Sequence, residues 1–290
     1  MDDFLTRFLN FIVPVFSVLS MFSAGLPYTM QEIVEPLKNR KGVILALMAN
    51  FLLVPALTIL IIKVFSLHPT LEAGLILAAC GAGAPFLIQL AGMAKVDVAL
   101  AATCLILLLP ATALFMPLVV PMALPEANVS AWSILEPLLL TMLLPLAAGM
   151  LLKGYLPEWA QLLQPWAAKL SGITLVLLFL TSLVLYFGTV IALFGSGAIL
   201  AAIVFVLGCY GIGYLIAWSP GIRHLIGLAT AQRNIAAATV VATLSFESRG
   251  PLVMVIIISL ISMAILFPLA WWLGKRKQNE ITNPDINYGK

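Results

Sequence analysis

Thr230-Ala231-Gln232-Arg233-Asn234-Ile235-Ala236-Ala237-Ala238-Thr239 sets three strongly polar side chains in succession inside an apolar run that reaches from 224 to 246. A run of that length can cross a bilayer, which takes about 20 apolar residues. An arginine at the centre of a spanning helix costs about 2.5–3.5 kcal/mol on insertion scales, so it is expected to face a cavity and mark a function. A structural carboxylate partner is scarce: Asp97 and Glu247 fall at the ends of apolar runs, and Glu136 opens another. The stretch reads as a helix interrupted at mid-membrane.

The rest of the chain agrees with a membrane setting. Of its 290 residues, 62% are hydrophobic and 9% charged, with a mean hydropathy of +1.12. Soluble domains carry roughly 25% charged residues, and a third of that cannot cover the surface of a globule. A soluble enzyme and a disordered chain are excluded. Fifteen Lys and Arg against twelve Asp and Glu leave no basic face for phosphates, so no nucleic-acid partner is expected. The apolar runs are 4–26, 42–64, 71–94, 97–122, 132–152, 169–193, 197–218, 224–246 and 251–274. None alternates with period two, as a barrel strand would. The fold class is an all-α polytopic membrane protein of about nine transmembrane helices, forming one membrane domain over 1–274.

The start, Met1-Asp2-Asp3, is acidic and the first apolar run is long, so it reads as a retained helix rather than a secretory signal. Cys80, Cys104 and Cys209 lie inside apolar runs and form no CxxC pair, which argues against a disulfide framework or a metal site. His68 and His224 fall in expected loops. No cofactor is expected. Cytoplasmic loops retain Lys and Arg. With the N-terminus outside, the inner loops and tail hold Lys38, Arg40, Lys41, Lys95, Lys153, Lys169, Arg223, Lys275, Arg276, Lys277 and Lys290, against Arg7, Lys63 and Arg249 outside. The chain is therefore placed in the cytoplasmic membrane with its C-terminus inside. The polar tail 275–290 is expected to be disordered.

A second run is also interrupted. Ala79-Cys80-Gly81-Ala82-Gly83-Ala84-Pro85-Phe86 puts two glycines and a proline within five residues, with Gln89 one turn later. Glycine weakens a helical turn and proline removes a donor from it. Pairing runs one to four with six to nine makes the two interrupted helices partners, and the odd offset inverts one half against the other. Interrupted helices at equivalent places of an inverted repeat point to the midplane site of a secondary transporter.

These features resemble the bile acid:sodium symporter family. Asn50-Phe51-Leu52-Leu53-Val54-Pro55 is similar to its amide-Phe-x-x-x-Pro segment, and Met21-Phe22-Ser23-Ala24-Gly25-Leu26 to its Met-Phe-x-x-Gly-Leu. The run from Cys80 to Pro85 resembles its glycine-rich break, Asp97-Val98-Ala99-Leu100 its Gly-Asp-Val-Ala-Leu, and Asn234 falls on the Asn of its Glu-x-Gly-x-Gln-Asn element. The resemblance covers about residues 18–270 and implies two crossed discontinuous helices and sodium as coupling ion. It also implies sodium ligands that are replaced here. The Ser-Asn after the break is Phe86-Leu87, the next helix offers Ala101 and Leu105, the Glu is Ala229 and the Gln is Arg233.

Losing a carboxylate and adding a guanidinium opposes a bound cation: at 4 Å and an effective dielectric of 20 the repulsion is about 4 kcal/mol. Arg233 is expected to stand in for a sodium ion, either neutralising the site or holding an anionic substrate bidentately. Asn50, Gly83, Pro85, Gln89, Gln232, Arg233 and Asn234 form the expected substrate- or ion-binding set. The function that follows is a secondary active transporter moving a small organic anion by alternating access. The alternative is a sodium-independent or proton-coupled efflux permease of related fold. An intramembrane enzyme would need a nucleophile and base or a metal cluster, and no HExxH or GxSxG occurs. A channel would be expected to show rings of charge or carbonyls.

Overall fold

Uninterrupted Leu, Ala, Ile and Val text can satisfy its backbone in lipid only within helices. The computed structural model describes residues 2–29, 31–32, 40–125, 129–192 and 195–282, and among them the regular structure is helical throughout. The elements are α1 (Asp2–Gly25), α2 (Arg40–Phe65), α3 (Pro69–Cys80), α4 (Phe86–Met93), α5 (Val98–Ala123), α6 (Ala131–Tyr155), α7 (Pro157–Ala192), α8 (Ala198–Ile216), α9 (Arg223–Ala231), α10 (Ile235–Leu244) and α11 (Gly250–Thr282). Among the described residues seven stretches are long and apolar enough to cross a membrane: α1, α2, α5, α6, α8, the α9–α10 pair and α11. The α3–α4 pair and α7 occupy the remaining two expected runs.

Burial sorts these into periphery and centre. Only 33% of the apolar window of α2 is covered by protein, and Leu52, Ile59, Leu60 and Val64 point outward. The α9–α10 pair is 94% covered, so the interrupted helix lies at the heart of the bundle. Around it α1 packs along α6 and α7, α3 along α11, and α8 along α9. Small residues allow the close approaches, as is usual where lipid supplies no hydrophobic drive between helices. A Cβ at Gly25 or Gly149 would run into the facing backbone of Leu146 or Phe22.

Two of the long helices each widen to a π turn, at Ala49–Leu53 in α2 and at Leu139–Leu143 in α6. Each precedes a proline, Pro55 or Pro145, whose missing N–H disturbs the ladder. A polar side chain then takes up a loosened carbonyl: Asn50 Nδ2 donates to Ala46 O at 2.9 Å, and Thr141 Oγ1 to Pro137 O at 2.7 Å.

The helix of the sixth run starts ahead of the apolar text, at Pro157, because Pro157 and Glu158 form a favourable first turn. One expectation is corrected. The polar tail does not begin as disordered chain: α11 runs on to Thr282. Lys277 Nζ donates to Lys95 O at 2.8 Å, and Lys275 and Arg276 lie 5.2 and 5.8 Å from the rings of Trp271 and Trp272. Lys169 sits likewise 5.8 Å from Trp166. Such aromatic and basic pairs suit a membrane–water boundary.

Candidate functional site

Both interrupted helices unwind where glycine, proline or consecutive polar residues stand. Helix α3 ends at Cys80, residues 81–84 are extended, and α4 starts at Phe86 behind Pro85. Gly83 has φ +74°, and a Cβ there would lie 2.9 Å from both Leu108 Cβ and Leu109 N, so its conformation and its contact with α5 both require glycine. Helix α9 ends at Ala231, and α10 starts at Ile235. The breaks cross: the Asn234 backbone N–H donates to Gly81 O at 2.9 Å. Thr112 on α5 holds the first break by accepting from Ala82 N and donating to Ala82 O, both at 2.8 Å.

The crossing has two chemically opposite poles. At one, the C-terminal ends of α3 and α9 present carbonyls that no helical N–H can reach. Arg233, 1% exposed, fills that pole. Its Nε donates to Ala78 O at 3.1 Å, Nη1 to Asn50 Oδ1 at 2.7 Å and Thr230 O at 3.1 Å, and Nη2 to Ala79 O at 2.6 Å. All four acceptors are neutral oxygens; Asp97 caps α5, and Glu136 and Glu247 are exposed. Each helix C-terminus carries roughly −0.5 elementary charge, so two of them balance one guanidinium.

At the other pole, the N-terminal ends of α4 and α10 meet a small pit of about 30 Å³. Pro85, Phe86, Gln232, Arg233, Asn234 and Ile235 border it, with Ser20 from α1, Ser259 and Ser262 from α11, and apolar neighbours such as Phe16 and Phe267. Ser262 is 3% exposed and its Oγ has no hydrogen-bond partner among the described residues. The first turn of a helix leaves N–H groups without intrahelical acceptors and carries partial positive charge. Local acceptors meet several of these: Asn234 Oδ1 accepts from Ala237 N at 3.0 Å and Arg233 O from Ile235 N at 2.9 Å, while at α4 Leu87 N and Ile88 N donate to Ala84 O and Pro85 O at 3.0 and 3.4 Å. The pit shares Ser20, Pro85 and Phe86 with a larger cavity of about 270 Å³, lined also by Ser23, Tyr28, Gln89, Gln164 and Ser171. That vestibule lies toward the end of the bundle that carries Lys95 and Lys153. Burial, with Glu32 nearby, raises the Tyr28 phenol above its ordinary 10.0, so its hydroxyl is neutral there.

The structure brings Asn50, Arg233 and the two helix ends together, and places Pro85, Gln232 and Asn234 around the pit. Gln89 does not join them; it is exposed in the vestibule, a turn further along α4. Asn234 uses its oxygen as a helix cap, its amide donating only to Met142 Sδ at 3.8 Å. Thr112 and Ser262 are the hydroxyls that hydropathy passes over. The histidines serve packing: His68 caps α3, and His224 Nδ1 bonds Tyr210 OH at 2.6 Å. No group of three or more His, Cys, Asp or Glu that could hold a metal occurs among the described residues.

With two unwound helices crossed at the centre of an all-helical bundle, the comparisons become specific. The family model for the sodium bile acid symporter family matches residues 14–203. The chain belongs to the sodium bile acid symporter family. Three curated relatives from Arabidopsis thaliana are named as probable chloroplastic sodium/metabolite cotransporters. BASS3 is 24% identical over 70% of this chain and 48% of its own length. BASS6 is 24% identical over 93% of this chain and 69% of its own. BASS5 from the same plant is 22% identical over 85% of this chain and 65% of its own. The chain thus spans about half to two thirds of the relatives it matches. Within the family fold, both oxygen-bearing side chains that persist at the motif positions are already engaged, Asn50 by Arg233 and Asn234 by Ala237. Ala229, Ala101 and Leu105, at other motif positions, are buried and offer no side-chain oxygen.

Proposed function

We propose that the protein is a secondary carrier for a small organic anion, working by alternating access in the cytoplasmic membrane, with its N-terminus outside and its C-terminus inside. One observation carries this reading: two half-helix N-termini open on one pit beside the unpartnered hydroxyl of Ser262. The partial positive charge of the two helix N-termini, with that hydroxyl, favours an anion. The pit admits little more than one or two water-sized groups, so it suits a carboxylate or sulfonate head. The body of the substrate occupies the vestibule, whose amides and hydroxyls suit a compact polar metabolite. The guanidinium is not available to the substrate as a bidentate clamp, since four of its five N–H groups bond protein oxygens. The basic residues near the vestibule support a mouth on the cytoplasmic side.

The test is binding and exchange in proteoliposomes with small carboxylates and sulfonates beside their neutral amides. Anions are expected to raise the unfolding temperature and to exchange across the membrane, and the amides to do neither. Equal effects from the amides would remove the head-group site.

A further inference from the structure

We infer that the carbonyl pole of the crossing is a monovalent cation site whose charge is supplied permanently by Arg233, and that shortening this side chain uncovers a sodium site. The four oxygens Ala78 O, Ala79 O, Thr230 O and Asn50 Oδ1 converge on one guanidinium at 2.6–3.1 Å. Three are main-chain carbonyls at helix ends, the kind of ligand that hard, weakly charged cations take in broken transporter helices. The fourth is aimed by its own hydrogen bond, Asn50 Nδ2 being held on Ala46 O at 2.9 Å within the π turn. Thr230 Oγ1, buried and without a hydrogen-bond partner among the described residues, lies against Gly213 of α8. Among the described residues no carboxylate contacts the guanidinium, and the negative potential comes from two helix C-termini, about one elementary charge together. One guanidinium or one bound monovalent cation balances it; both together do not.

The inference extends the carrier reading to its coupling, and rests on that reading only there: a carrier with a built-in cation has no sodium to release on the far side, and its transport runs without a sodium gradient. The cage itself stands whether or not an organic anion is carried.

The experiment measures unfolding temperature of the purified full chain in sodium chloride, potassium chloride and choline chloride at equal ionic strength, with no organic anion present. Wild type and Arg233→Lys, which keeps the charge in place, are expected to show the same value in all three salts. Arg233→Ala and Arg233→Gln are expected to lose stability in choline and to regain roughly 5 °C in saturating sodium, because a ligand stabilises only the state that binds it. A sodium-specific rise in wild type or in Arg233→Lys overturns the inference. So does a folded Arg233→Ala indifferent to every alkali cation, and so does failure to recover both neutral variants even in sodium medium. Since no substrate enters the assay, a failure here is separate from a failure of the anion reading, which the carboxylate assay alone decides.

Discussion

The two poles of the crossing use the same backbone physics and end in opposite states. Helices α3 and α9 offer carbonyls, and the chain answers them with its own cation: four hydrogen bonds from one side chain with 1% exposure. Helices α4 and α10 offer amides, which the chain answers with backbone carbonyls and the Asn234 cap, while three serines stand beside the pit and Ser262 Oγ has no partner among the described residues. A buried polar group left unpaired costs stability, so folds tend to satisfy such groups internally. Each pole keeps one buried hydroxyl without a partner among the described residues, Thr230 Oγ1 or Ser262 Oγ, but only the amide pole borders a cavity. The proposed anion carrier with a fixed counter-charge rests on that difference, and the difference can be broken by substitution at either pole.

The largest effect is expected at the carbonyl pole. Arg233→Met keeps length and apolar bulk but strips the charge from two facing helix ends and leaves Asn50 Oδ1 and three carbonyls unmet. Removing one partner of a buried charged network costs about 3–5 kcal/mol. Denaturation of the variant in sodium-free buffer is expected to show a loss of that size. A variant as stable as wild type would mean that the carbonyls find other donors and that the pole is not built on Arg233.

A smaller effect is expected across the crossing. Asn234→Ala removes the cap of α10 and frees Ala237 N–H, at a cost of about 1 kcal/mol. Because the lost oxygen serves the helix and not the ligand, the affinity for a carboxylate is expected to stay within about twofold, a shift of less than about 0.5 kcal/mol. An affinity collapse in a stable variant would move Asn234 from the architecture to the site.

How far this contrast can be read from the sequence depends on how loudly each residue breaks the apolar text. Arg233 between Gln232 and Asn234, and Pro85 behind Gly81 and Gly83, are expensive inside a membrane, so the breaks and the buried charge are legible in the amino-acid sequence alone. The partners of Arg233 are not, because Ala78 O, Ala79 O and Thr230 O belong to the backbone and become acceptors only when two distant helices end side by side. Ser262 and Thr112 are quiet for another reason: a single hydroxyl in an apolar helix commonly bonds its own preceding carbonyl, as Thr58 does here to Val54 O. Only the tertiary fold sends Thr112 to Ala82 and leaves Ser262 facing a pit. Asn234 looks like a ligand by its place in a motif and acts as a cap by its geometry. The start of α7 is legible in principle, since Pro157-Glu158 is a first-turn signal, but a search for apolar windows passes over an amphipathic beginning. The helical part of the tail is hidden likewise, as Lys, Arg, Gln and Glu are good helix formers that hydropathy scores as loop.

The smallest effect on the fold is expected from Ser262→Ala, and it is the sharpest test of the open pole. An unpartnered hydroxyl contributes no hydrogen bond to the folded state, so removing it changes stability by no more than about 0.5 kcal/mol and can raise it. The same hydroxyl, if it donates to a bound carboxylate, contributes about 1–1.5 kcal/mol to the complex, a five- to tenfold change in affinity. The two quantities part company only if the hydroxyl is held for a ligand. Unfolding temperature and carboxylate titration on the one variant therefore read architecture and function separately. Undiminished carboxylate binding in a stable Ser262→Ala protein would show that the anion, if it binds, does so away from the pit, and the contrast between the poles would lose its functional half.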